Sequence, residues 1–141
     1  ERAGSTRIIH LHGELTKVRP ENCYSDADGW SEESVFDIGC DPIHIGDKAP
    51  NGAQLRPHIV WFGEAVPYIN AAIDVVMQAD VLLIVGTSLQ VYPAAGLYAF
   101  ANAGTPIYII DPADVPVRDG RIRHIKDVAT SGMETFVNLI K

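Results

Sequence analysis

The chain has 141 residues, 47% of them hydrophobic, and 18 Asp and Glu against 11 Lys and Arg give a net charge of −7. That length and apolar content suit one globular domain, or part of a larger one, with enough chain to bury a core. The acidic balance excludes a general nucleic-acid binder, which needs a basic face to neutralise phosphates, and mildly favours a basic peptide as partner.

The chain opens on Glu1-Arg2-Ala3-Gly4-Ser5, which reads like a helix end followed by a glycine cap. Ile8, Ile9 and Leu11 predict a brief buried strand that delivers His12 to a turn at Gly13. Residues 20–55 are polar and rich in Asp, Gly and Pro, with no clear period, and read as an inserted loop-rich module. From residue 56 onward strands and helices alternate. His58-Ile59-Val60-Trp61-Phe62 predicts a strand closed by Gly63, followed by a helix entered at Pro67. On that helix Ile69, Ala72, Ile73, Val76 and Met77 fall at helical spacing. Residues 81–85 form a continuous apolar run, expected to be a parallel strand buried on both faces. At five residues it is far short of the roughly 20 that span a bilayer, so no membrane partner is expected. A loop at 87–93, a small-residue helix at 94–103 and a strand at 107–110 ending on Asp111 follow. Ser131 and Glu134 have capping-box spacing before a last helix with Met133, Phe136, Val137 and Ile140 on one face. The expected class is α/β: part of a Rossmann-like, doubly wound parallel sheet with the loop-rich module inserted. The corresponding partition is 1–19 (histidine strand and turn), 20–55 (module) and 56–141 (Rossmann-like half).

His12 is the first candidate for chemistry. Its ordinary pKa of about 6.5 suits proton transfer near neutral pH, although those residues alone are also read as a core or surface histidine with a satisfied hydrogen bond. In open α/β sheets, ligands sit beyond the carboxyl ends of the strands. Two such ends are readable. Gly86-Thr87-Ser88 offers hydroxyls and backbone N–H groups to ribose or phosphate oxygens, or is an ordinary turn. Asp111 can accept from ribose hydroxyls, or cap the turn before Pro112. Val60 and Phe62 either pack in a core, as Ile59 and Trp61 are expected to, or edge a groove where an extended peptide adds as a strand. Cys23 and Cys40 form no Cys-x-x-Cys pair, so even with His44 nearby, free thiols are favoured over zinc. Two cysteines also make no disulfide framework. No basic-then-apolar leader pattern begins the chain, and a cytoplasmic location is the expectation.

In order and spacing, three motifs together resemble the C-terminal part of a sirtuin, an NAD-dependent protein lysine deacylase, and the compact bacterial members most of all. They are Ile9-His10-Leu11-His12-Gly13-Glu14-Leu15, Leu55-Arg56-Pro57-His58-Ile59-Val60-Trp61-Phe62-Gly63-Glu64, and Gly86-Thr87-Ser88-Leu89-Gln90-Val91-Tyr92-Pro93. The resemblance implies that the acyl oxygen of a modified lysine displaces nicotinamide from NAD, and that His12 is the general base taking a ribose hydroxyl proton. It implies that Gly86, Thr87, Ser88, Asp111, Pro112, Ala113 and Ala129 hold the adenosine side of NAD. Val60, Trp61 and Phe62 would border the channel for acyl-lysine peptide.

The chain departs from the family in three places. Asp111 stands where Asn is usual; Pro20 takes the place of one zinc cysteine; and no glycine-rich NAD loop or Gln-Asn-Ile-Asp segment is present. The expectation is therefore a zinc-free C-terminal part whose partner is the N-terminal half of the same protein. The alternatives are a non-catalytic NAD or ADP-ribose binding module, and a sirtuin relative that cleaves NAD or transfers ADP-ribose.

Overall fold

The computed structural model describes residues 1–25, 29–117 and 119–141 and divides into two compact units, residues 1–69 and 70–141. In the first, β1 (Gly13–Pro20) is the centre of an antiparallel sheet with β4 (Phe36–Asp37) on one side and β5 (Leu55–Ile59) on the other. Between β1 and β4 lie a two-residue pair, β2 (Tyr24–Ser25) with β3 (Gly29–Trp30), and a 3-10 turn at Glu32–Ser34. The β1–β5 register runs Gly13↔Ile59 and Glu14↔His58, then shifts before Val18↔Pro57 and Arg19↔Arg56. Proline has no N–H to give a ladder, and the bulge falls beside Pro57. Val18, Arg19 and His58 are buried where the two strands meet.

This sheet corrects two expectations. Ile8 and Ile9 form no strand and stay 39% and 40% exposed, because the backbone closes locally, with Leu11 N–H donating to Ile9 O and Gly13 N–H to His10 O. The strand expected at 58–62 is instead Leu55–Ile59, and it pairs antiparallel with β1 rather than joining a parallel sheet.

The second unit is built on a three-stranded parallel sheet in the order β6 (Leu82–Val85), β7 (Ile107–Ile110), β8 (Ile122–Ile125). Alternation along β7 sends side chains to both faces. Ile107 clusters with Val76 of α1 (Ile69–Met77) and with Leu97 and Tyr98 of a 3-10 helix, Ala94–Phe100. Tyr108 and Ile110 cluster with Phe136 of α2 (Ala129–Leu139), the Tyr108 and Phe136 rings meeting edge-on at 5.1 Å. Helical elements therefore cover both faces, which bears out the Rossmann-like α/β expectation. A Cβ on Gly132 would collide with Cγ2 of Ile110, so glycine is what seats α2 directly on β7.

Details differ from the periodicity. Complete burial belongs to the central strand β7, whereas β6 is paired on one side only and leaves Val85 40% exposed. The stretch from Ala94 is 3-10 rather than α and stops at Phe100. Helix α1 starts at Ile69, two residues after Pro67, and α2 starts at Ala129, so Ser131 lies in its first turn instead of capping it. Of the face expected on α2, only Phe136 is buried, together with Gly132; Met133, Val137 and Ile140 remain exposed. Strand β8 escaped the sequence reading because Arg123 and His124 interrupt its apolar pattern. Among the described residues, no helix is long and apolar enough to cross a membrane.

Candidate functional site

His12 sits in the turn that feeds β1. Gly13 follows it at φ +84°, and a Cβ there would strike the carbonyl oxygen of His58, so only glycine lets the two strands approach at this point. The His12 carbonyl accepts from Val60 N–H at 3.0 Å. Two segments 48 positions apart in sequence are thereby joined directly. The His12 side chain is exposed and, among the described residues, takes no side-chain partner. An imidazole in that state is available to exchange a proton with something from solution.

Beyond Val60 the chain turns sharply. Glu64 N–H donates to Trp61 O at 3.1 Å around Gly63 at φ +88°. Trp61 is 50% and Phe62 94% exposed, which corrects the expectation that Trp61 packs in a core. The Arg56 guanidinium lies 5.9 Å from the Trp61 ring centroid and makes two hydrogen bonds to the Glu64 carboxylate, at 2.6 and 3.1 Å. Burial on its own would raise the pKa of Glu64, but hydrogen bonds from Arg56 and Trp61 N–H outweigh it and hold the carboxyl below its ordinary value.

In the second unit the other candidates follow neighbouring strand ends. Gly86 succeeds β6 and its N–H donates to Ile110 O at 2.9 Å, while Asp111 succeeds β7 directly. Ala129 opens α2, after the end of β8. All three loops thus leave the carboxyl edge of one parallel sheet, where such sheets present ligand sites. The Gly86 backbone stands at φ +65° with open space above it. Thr87 Oγ1 accepts from Leu89 N–H at 3.2 Å, and the Ser88 hydroxyl is exposed. Leu89 adopts φ +52°, a conformation few non-glycine residues take. Asp111 Oδ1 accepts from Ala113 N–H at 2.8 Å, so one carboxylate oxygen shapes the turn through Pro112, while the other takes no hydrogen bond among the described residues. His124 Nε2 of β8 donates to Asp111 O at 2.9 Å, and Lys126, directly after β8, pairs with Asp114 at 2.7 Å, two ties to that turn. The first-turn N–H groups of α2, at Ala129 and after it, have no partner within the helix. This donor and acceptor set fits the hydroxyls and phosphates of a nucleotide.

A metal is a poorer fit in the loop-rich module. Among the described residues Cys23, Cys40 and His44 do not gather as a ligand set, and His44 lies 3.6 Å from Asp47 in the 44–47 turn. The group that does gather is Glu1, His10 and Glu14, with Glu14 also bound to Lys17 at 2.7 Å.

A family model described as Sir2 family matches residues 1–93. The chain belongs to the Sir2 family. An NAD-dependent protein deacylase of Bacteroides thetaiotaomicron is 46% identical over 99% of the chain and 59% of its own length. One from Helicobacter pylori is 52% identical over 79% of the chain and 45% of its own length. A crystal structure of a Sir2 homologue with NAD superposes at TM-score 0.79 and 32% identity, covering 99% of this chain and 53% of that one. An ADP-ribose complex of a Sir2 homologue superposes at 0.78. The chain spans about half the length of the Sir2 relatives it matches. Arg56 and Glu64, which tie the turn carrying Trp61 and Phe62, are not singled out by the sequence reading. Their signal was opposite charge eight positions apart, flanking the motif that carries Val60, Trp61 and Phe62.

Proposed function

We propose that this chain is the C-terminal part of an NAD-dependent protein lysine deacylase, working with an N-terminal half that completes the NAD site. The observation that carries the reading is the exposed, unengaged imidazole of His12 on a turn locked by Gly13 and tied to Val60. His12 serves as general base, accepting a proton at a ring nitrogen from a ribose hydroxyl. Gly86, Thr87 and Ser88 bind NAD oxygens, as do Asp111, Pro112 and Ala113, with Ala129 beside the helix start that offers free N–H groups. Bound NAD would supply the electrophilic ribose carbon that accepts the acyl oxygen as nicotinamide leaves; with one water consumed, the products are free lysine, nicotinamide and O-acyl-ADP-ribose. Val60, Trp61 and Phe62 border the acyl-lysine segment of a protein substrate, and an extended peptide adding along that edge would gain main-chain hydrogen bonds. Residues 20–55 are the counterpart of the zinc-bearing module of other sirtuins, here without zinc. A bacterial cytoplasm is the setting that fits two thiols and no disulfide.

The test is reconstitution with a sirtuin N-terminal half and assay on acetyl- and succinyl-lysine peptides with NAD. The expected result is nicotinamide release and peptide deacylation that require both parts. Nicotinamide release without acyl peptide would instead identify an NAD-cleaving relative. Calorimetric binding of NAD with no turnover would identify a binding module.

A further inference from the structure

The Glu64 carboxylate is the hub of the turn that presents Trp61 and Phe62. Its Oε1 accepts from Arg56 Nη1 at 2.6 Å, and its Oε2 accepts from Arg56 Nη2 at 3.1 Å and from Trp61 N–H at 2.9 Å. Arg19 Nη2 approaches Oε2 at 3.9 Å. Arg19 and Arg56 stand directly opposite each other on β1 and β5, a placement that repulsion disfavours unless an anion lies between them. Glu64 is that anion. Its side chain therefore closes the 61–64 turn from within while its own N–H closes it through the backbone. At the other end of the segment Val60 is bonded to the His12 carbonyl. The result is a backbone closed at both ends that holds Phe62 almost wholly in water and Trp61 half in water, beside the turn that carries the imidazole. Two large aromatic side chains left exposed on a turn this firmly tied suit a surface held ready for an occupant.

We propose that Glu64 is a positioning residue: through Trp61 and Phe62 it holds the surface that binds the acyl-lysine segment. The proposal rests on the functional reading above and names the residue that makes its substrate edge competent. Glu64→Gln keeps one acceptor oxygen and removes the charge that balances both arginines. Glu64→Asp keeps the charge at shorter reach.

The experiment has two arms. In the first, Trp30→Phe leaves Trp61 as the only tryptophan of the chain, and its acrylamide quenching is compared with and without Glu64→Gln. The expected result is a quenching constant about twofold higher with an unchanged far-UV spectrum, since a loosened turn exposes the ring more. In the second, the reconstituted deacylase is assayed: KM for acyl peptide should rise about tenfold, with kcat and KM for NAD nearly unchanged and Glu64→Asp recovering part of the loss. Unchanged quenching overturns the brace. A loosened turn with unchanged peptide KM, or equal rises in both KM values, overturns the positioning role. If wild-type protein does not turn over acyl-lysine peptide at all, the functional reading fails, and the proposed occupant of this surface fails with it. The quenching arm then still decides whether Glu64 sets the turn.

Discussion

The two units reach order by different physics. In residues 70–141 a central strand, β7, is buried along its whole length, and Ile107, Ile109 and Ile110 are at most 1% exposed between helical elements. In residues 1–69 the β1–β5 contact buries a charged Arg19 and a His58, breaks register beside Pro57, and relies on ion pairs converging on Glu64. Apolar burial is non-directional and tolerates small shifts, whereas charge-assisted hydrogen bonds fix distances and angles. The unit carrying His12 and the exposed aromatics is the one whose geometry depends on directional bonds. The unit whose strand-end loops are the proposed NAD contacts rests on an apolar sheet.

The contrast can be broken at its strongest point first. Ile109→Ala should cost about 4 kcal/mol, the cavity-plus-transfer cost for a fully buried isoleucine, read as a lower urea midpoint. A loss below about 1 kcal/mol would mean that β7 is not the core it is described to be. Next, His12→Ala should lower kcat of the reconstituted protein on acyl-lysine peptide by at least about 10²-fold, while truncating an exposed side chain leaves the unfolding free energy within about 0.5 kcal/mol. Arg121 carries several of the polar ties in the apolar unit. It binds Asp119 at 2.7 Å and donates to the carbonyls of Ala101 and Asn102, both at 2.9 Å. Arg121→Ala should therefore lower the urea midpoint, by less than Ile109→Ala does, in the same denaturation series.

The smallest effect sharpens the contrast through pH. The pKa of Glu64 is depressed from its ordinary 4.5 in the folded protein, since the Arg56 and Trp61 hydrogen bonds outweigh the effect of burial. Its contribution to stability is therefore present in full above pH 4.5 and fades as pH falls through the lower folded value. Asp119, depressed from 3.8 by its hydrogen bonds to Arg121, behaves alike at lower pH. Glu64→Gln should flatten the wild-type dependence of the urea midpoint on pH between about 5 and 3. An equal slope in both proteins would mean that the brace does not form in solution.

Much of the second unit was legible beforehand. The apolar runs at 82–85 and 107–110, and the spacing of Ile69, Ala72, Ile73 and Val76, carry strand and helix periodicity that their surroundings do not contradict. Strand β8 was hidden because Arg123 and His124 break its pattern; in the fold, His124 reaches the Asp111 carbonyl and Arg123 lies over the Tyr108 ring. In the first unit periodicity misled. Residues 8–11 look like a strand but bond to themselves, and residues 60–62 continue an apolar run past the point where pairing with β1 ends. Short apolar segments do not identify their partners, and it is the partner that decides strand or turn.

What followed from the residue order alone was the family, through three spaced motifs, together with the alternation of elements that makes an α/β fold and the identity of His12, Gly86 and Asp111 as candidates. Which strands pair, and that Glu64 lies between Arg19 and Arg56, was decided only by the folded chain. Both depend on contacts between residues distant in sequence, and neither local propensity nor hydrophobic period records where the chain returns.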